Sequence, residues 1–215
     1  MGHPQPPRSA ASTGTSRGFT LIELMVALVL LAILIKLSLP SFSAWINNTK
    51  VRTVAESLQT GVRLAQAEAV RQNRSVVLAF TNGTPDPTTA ITAAANGNRW
   101  VIQTLAQFGG GDGAFVQAGS LTDVASGVTI TGVSALCFNS NGRLITVPSA
   151  TVQSNTTPQI SSATCDPSDA TFTVDRSGSA DRPLKVMVTA SGKVRMCDPK
   201  RPTQSATSPD GCPAP

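Results

Sequence analysis

The chain has 215 residues, room for one ordinary domain with appendages, and a formal charge of +5. Charged side chains make up 13% and hydrophobic ones 40%, a balance that suits a loop-rich β domain better than a helical bundle. The single histidine is His3, in a segment expected to be removed, so Ser-His and Cys-His catalytic pairs and histidine metal sites are excluded from the mature chain, and neither an enzyme nor a cofactor is expected.

Residues 1–18 read MGHPQPPRSAASTGTSRG: polar, with Arg8 and Arg17, no acid and three prolines. This piece cannot pack a core. An apolar run from Phe19 to Pro40 follows. Phe19 to Lys36 is 18 residues, about 27 Å as a helix, close to the roughly 30 Å hydrocarbon thickness of a bilayer. Positive charges precede the run, so the leader should stay cytoplasmic and the body should lie on the far side. Lys36 falls where a lysine can snorkel to the outer interface. A secretory signal would instead place a small-residue cleavage site after the apolar run. None is present before the next, amphipathic stretch.

Glu23 is a carboxylate near the start of this apolar helix, where an ionisable group costs a few kcal/mol unless partnered. If the chain is cut between Gly18 and Phe19, the new α-amine of Phe19 is the complementary charge for Glu23 of an offset neighbour. The plainer reading is a carboxylate at headgroup level, satisfied by water and the helix N-terminus.

The run Gly18-Phe19-Thr20-Leu21-Ile22-Glu23-Leu24-Met25-Val26 resembles the cleavage and methylation signature of type IV pilins and type II secretion pseudopilins. The resemblance implies cleavage after Gly18 by prepilin peptidase and N-methylation of Phe19. It also implies that Glu23 is the assembly glutamate. Pro40 matches the place where pilin helices are often kinked or locally melted, as its missing amide also suggests.

Beyond Pro40, Val51, Val54, Leu58, Val62, Ala65 and Ala69 recur at spacings of three and four, with Lys50, Arg52, Glu56, Arg63 and Arg71 largely off that stripe. The pattern predicts an amphipathic helix to about Asn73. Strands are expected at 75–80, 99–104, 128–131, 136–138, 143–147, 171–174, 184–188 and 193–196. Asn141-Gly142 and Ser191-Gly192 mark hairpin turns, 109–113 a glycine-rich loop, and 148–169 a polar, turn-rich stretch.

The expected architecture is α+β: a long N-terminal transmembrane and amphipathic helix packed on a C-terminal antiparallel β-rich, pilin-like domain. Its parts are a cleaved leader at 1–18, an anchor at 19–40, an amphipathic half-helix at 41–74 and a periplasmic domain at 75–215. This order, with the helix end near Arg63 to Arg74, resembles the FimT/GspH minor pseudopilin family. The resemblance implies a single pass through the bacterial inner membrane and assembly with other pilins or pseudopilins into a filament.

Four cysteines remain, Cys137, Cys165, Cys197 and Cys212. An even count in an exported domain favours disulfides. Three pairings are open. Proximity in sequence suggests Cys137–Cys165 and Cys197–Cys212. Zinc is not expected, because no C-x-x-C pair exists.

Seven basic residues and two acids lie between Arg176 and Arg201. Lys193 and Arg195 alternate on an expected strand and so share a face. Lys200 and Arg201 follow on the loop, with Arg182 and Lys185 in support. Such a surface can neutralise several phosphates without reading bases, or it can be a solvated charged face. FimT-type minor pilins carry a C-terminal Gly-Arg-x-Arg motif associated with DNA binding in natural transformation. Gly192-Lys193-Val194-Arg195 occupies the matching place, with lysine for the first arginine, which keeps the charge and loses the planar fork. Gly142-Arg143-Leu144-Ile145 is a second, lower-ranked candidate that lacks the second basic residue. The resemblance thus implies a DNA-binding minor pilin of a type IV pilus. The alternative is a structural minor pseudopilin, of a pilus or of type II secretion, that does not bind DNA.

Overall fold

The computed structural model describes residues 18–106, 112–121, 123, 125–148, 156–176 and 182–213. The proposed leader up to Arg17, most of the glycine-rich loop and 149–155 lie outside them. The chain divides into two units, one ending at Phe42 and one spanning Ser43–Pro215.

One helix, α1 (Leu21–Gln72), supplies residues to both units. Thr20 caps its start: the Glu23 amide donates to Thr20 Oγ1 at 3.3 Å. Its end is a Schellman motif, with Asn73 at φ 50° and the Arg74 and Asn73 amides donating to the Ala69 and Val70 carbonyls. Helical backbone continues through Pro40, so the local unwinding expected there is not observed. A proline withdraws only one hydrogen bond and need not end a long helix.

In the first unit the helix is apolar and its described side chains are exposed. It is long and apolar enough to cross a membrane, with a mean hydropathy of 2.5 over its best 18 residues.

In the second unit the remainder of α1 is amphipathic. Val51, Val54, Leu58, Val62, Ala65 and Ala69 are all buried. They meet one face of a five-stranded sheet and one face of a four-stranded sheet in a single core.

The strands are β1 (Val76–Thr81), β2 (Ile91–Thr92), β3 (Arg99–Thr104), β4 (Gly113–Ser120), β5 (Val128–Thr131), β6 (Ala135–Phe138), β7 (Thr156–Thr157), β8 (Ile160–Ser161), β9 (Ala170–Arg176), β10 (Leu184–Val188) and β11 (Val194–Cys197). The first sheet has the order β6-β1-β3-β4-β7, the second β11-β10-β9-β5, and β2 pairs with β8. Every residue of β1 is buried. Leu78 and Phe80 face the helix, whereas Val77 and Ala79 face a second cluster with Ile91, Val101, Ile160 and Cys165. A strand covered on both sides reads as a continuous apolar run, as VVLAFT does.

The expected strand at 143–147 is not regular. Leu144 pairs singly with Phe138, Val147 with Cys165, and the Ile145 amide donates to the Cys137 carbonyl. Strand β4, absent from the expectation, is eight residues long and pairs with β3 through a bulge at Ile102/Gln103. Disulfides join Cys137 to Cys165 and Cys197 to Cys212.

Candidate functional site

The basic residues near the C-terminus are positioned by the sheet β11-β10-β9-β5. Val194 and Met196 of β11, and Val186 and Val188 of β10, pack toward the core. The alternation of a strand therefore sends Arg195 and Lys185 to the opposite face, and Lys193, exposed in the turn just before β11, continues the parity of Arg195. The register places Met187 opposite Arg195 and Lys185 opposite Cys197. Cys197 Sγ lies 3.8 Å from Met187 Sδ, so the stapled loop begins beside these cations. On the neighbouring β9, Thr171 and Thr173 stand opposite Met187 and Lys185. The face thus carries cations among hydroxyl groups, Met187 and one acid, since Asp175 follows Thr173 by two positions on β9. Among the described residues, Lys185, Lys193 and Arg195 form no salt bridge; the bridges present are Arg52–Glu56, Arg71–Glu68 and Arg182–Asp198.

Arg182, Lys200 and Arg201 lie outside these strands. Arg182 Nη2 lies 2.7 Å from Asp198 Oδ2. Arg182 and Arg201 line an open groove of about 430 Å³ with Trp45 and Arg52 of α1, Asp198 and Asp210. Asp198 is only 4% exposed. Burial alone would push its carboxyl up. Hydrogen bonds from the Arg182 guanidinium and the Lys200 amide, with the charges of Arg182 and Arg201, outweigh that and hold it below the usual carboxylate range. Arg182 therefore anchors the stapled loop. Lys200 is exposed on that loop, and its amide is the one bonded to Asp198.

The loop has further internal ties. The Asp198 amide donates to the Asp210 carbonyl at 2.8 Å, and Gln204 to Cys212 at 3.0 Å. With the disulfide, these order a segment of little apolar content.

Arg143 ranked low in sequence, and the structure stacks its turn on the turn of Lys193. The turn at 139–143 touches the turn at 189–193. The Leu144 amide donates to the Ala190 carbonyl at 3.1 Å, and Gln66 Nε2 donates to the carbonyls of Gly142 (2.7 Å) and Gly192 (2.9 Å). A sequence signal existed, since both turns read Gly followed by a basic residue, but fifty positions separate them.

At the other end, Gly18 and Phe19 are exposed just before α1, and Glu23 lies in its first turn. Among the described residues, no group of three or more His, Cys, Asp or Glu could hold a metal ion.

Residues 14–35 match the prokaryotic N-terminal methylation motif, and residues 54–192 match the type II transport protein GspH family. A stretch of 70 residues, 32% of this chain, is 43% identical to the pilin-like protein PilA1 of Thermus thermophilus; it spans 44% of that relative. Two solved structures are similar. The type IV minor pilin FimU of Pseudomonas aeruginosa gives a TM-score of 0.47 at 18% identity, over 75% of this chain and 98% of that one. The minor pseudopilin EpsH of the Vibrio cholerae type 2 secretion system gives 0.44 at 13%, over 71% and 99%. The apolar first unit and the methylation motif fit an inner-membrane-anchored pilin. With more than half of its length matched, the chain belongs to the GspH family, the FimT/GspH-like minor pilins and pseudopilins of type IV pili and type II secretion systems.

Proposed function

We propose that this chain is a minor pilin that binds duplex DNA through the outer face of its C-terminal sheet during DNA uptake. It would be held in the inner membrane by residues 19–40 with its β domain in the periplasm. Prepilin peptidase would cut between Gly18 and Phe19, and the methylated Phe19 amine and Glu23 of neighbouring subunits would neutralise each other in the filament.

One observation carries the DNA reading. Lys185, Lys193 and Arg195 share a face and form no salt bridge among the described residues. Three cations outside the salt bridges match the needs of a phosphate backbone, which demands charge and not base-reading geometry. Lys200, exposed on the adjoining stapled loop, extends this surface. Arg182 and Arg201 support it indirectly, by fixing the loop through Asp198. The positive charge of Lys193 suffices for such contact, although its point charge holds a phosphate less rigidly than arginine would.

The test is a gel shift of the full chain in detergent with duplex DNA at two salt concentrations. Wild type is expected to shift the duplex, more weakly at higher salt, and Lys193→Ala/Arg195→Ala to lose the shift. Equal affinity in the two proteins sinks the assignment and leaves a structural pseudopilin.

A further inference from the structure

The turn that carries Lys193 has a twin. In the 189–193 turn, the Gly192 amide donates to the Thr189 carbonyl at 2.7 Å and the Thr189 amide to the Lys193 carbonyl at 3.0 Å. In the 139–143 turn, the Gly142 amide donates to the Asn139 carbonyl at 2.8 Å and the Asn139 amide to the Arg143 carbonyl at 2.9 Å. The first residue of each also caps the last: Thr189 Oγ1 accepts from the Lys193 amide at 3.1 Å, and Asn139 Oδ1 from the Arg143 amide at 3.0 Å. Gly192 and Gly142 are both left-handed, at φ 86° and 73°. This is the three-residue hairpin loop that ends in a glycine bulge, made twice, with a basic residue next after the glycine each time.

The two turns are stacked on each other. A Cβ built on Gly192 would stand 2.0 Å from the Gly142 carbonyl oxygen, so nothing larger than glycine allows the approach. Gln66 of α1 bridges both carbonyls, which fixes the spacing of the tips. Gly142 and Gly192 are buried, whereas Arg143 and Lys193 are exposed. One acid meets this pair of turns: the Asp169 carboxylate accepts from the Ala190 amide at 2.8 Å. Neither Arg143 nor Lys193 forms a salt bridge among the described residues. Two stacked turns thus each present an exposed cation, an arrangement that suits a ligand with closely spaced anions.

We propose that Arg143 and Lys193 form a paired clamp on the phosphate backbone of duplex DNA, with Arg143 as a contact outside the C-terminal basic segment. The inference rests on the DNA reading above and extends the site by one turn. Arg143 restores at this position the planar guanidinium fork that Lys193 lacks, since a fork bonds a phosphate in two places.

The experiment is a fluorescence-anisotropy titration of a mixed-sequence duplex with the full chain in detergent, over a series of salt concentrations. The proteins are wild type, Arg143→Ala, Arg143→Lys and Lys193→Ala/Arg195→Ala. Because Arg143 is exposed, its replacement leaves the packed turns in place, which circular dichroism checks. Arg143→Ala is expected to lower the slope of log affinity against log salt by about one, the contribution of one phosphate contact, and Arg143→Lys to keep the wild-type slope. An Arg143→Ala slope and affinity equal to wild type, with binding still lost in Lys193→Ala/Arg195→Ala, overturns the clamp and leaves the DNA reading standing. No binding by wild type at the lowest salt overturns both.

Discussion

Gln66 and Gly192 are 126 positions apart in the chain, yet Gln66 Nε2 lies 2.9 Å from the Gly192 carbonyl oxygen. The same nitrogen serves Gly142 at 2.7 Å. One helical side chain therefore satisfies two partly buried carbonyls at the tips of two hairpins. Gln66→Ala leaves both without that donor. An unsatisfied buried group costs about 1–3 kcal/mol, so a loss in that range is expected, read from urea unfolding followed by tryptophan fluorescence. A midpoint unchanged from wild type would show that water or another group replaces the amide without cost.

Asp198 makes the C-terminal loop sensitive to acid. Its folded carboxyl is held below the usual range, first against burial and then by Arg182, the Lys200 amide and the charge of Arg201. A group whose folded pKa lies below its unfolded value stabilises the fold above the unfolded value, about 3.9 for aspartate. That contribution is lost as pH falls through the folded pKa. Arg182→Ala removes the main partner and leaves a buried carboxylate facing desolvation, so its pKa should rise. Hydrogen exchange at the Asp198 and Gln204 amides is expected to accelerate, relative to wild type, at a higher pH in the variant. The same onset in both proteins contradicts this role for Arg182.

The Cys197–Cys212 bridge closes a loop with a sequence separation of 15. Closure of such a loop is worth about 3 kcal/mol from chain entropy. Cys197→Ser/Cys212→Ser should lower unfolding free energy by about that much, and protease should cut between 198 and 212 faster. Unchanged cleavage kinetics would mean that the Asp198 and Gln204 hydrogen bonds alone order the loop.

The N-terminal proposal has a separate test. Replacement of Gly18 should block processing, so that the full-length precursor accumulates in membranes of cells carrying prepilin peptidase. Mass spectrometry of the N-terminus reads the outcome. A normally shortened, methylated product starting at Phe19 from that variant refutes the proposed cut site.

Much of the fold was legible where physics acts locally. The spacing of Val51, Val54, Leu58 and Val62 marked the buried helix stripe, and all four are in the core. The apolar runs at 76–81, 99–104, 128–131 and 184–188 became strands because β-branched residues suit a packed pleat. Strand β4 was not legible: GAFVQAGS lacks alternation, and its pairing with β3 comes from the sheet and not from its own propensity. Strands β2, β7 and β8 are two residues each and exist only as pairings. The basic segment was legible as charge but not as a surface. Strand parity keeps Lys185, Lys193 and Arg195 together, whereas Asp198 draws Arg182 to the groove. The turn of Arg143 meets the turn of Lys193 through contacts among Gln66, Gly142, Gly192 and Ala190, which no window along the chain can contain.

The central claim is that the outer face of the C-terminal sheet holds duplex DNA by its cations. The most direct measurement is the affinity of the full chain in detergent for duplex DNA as a function of salt, in wild type and in Lys193→Ala/Arg195→Ala. The account predicts steep salt dependence in wild type and loss of measurable binding in the variant across the same salt range. Identical slopes and affinities in the two proteins would contradict it.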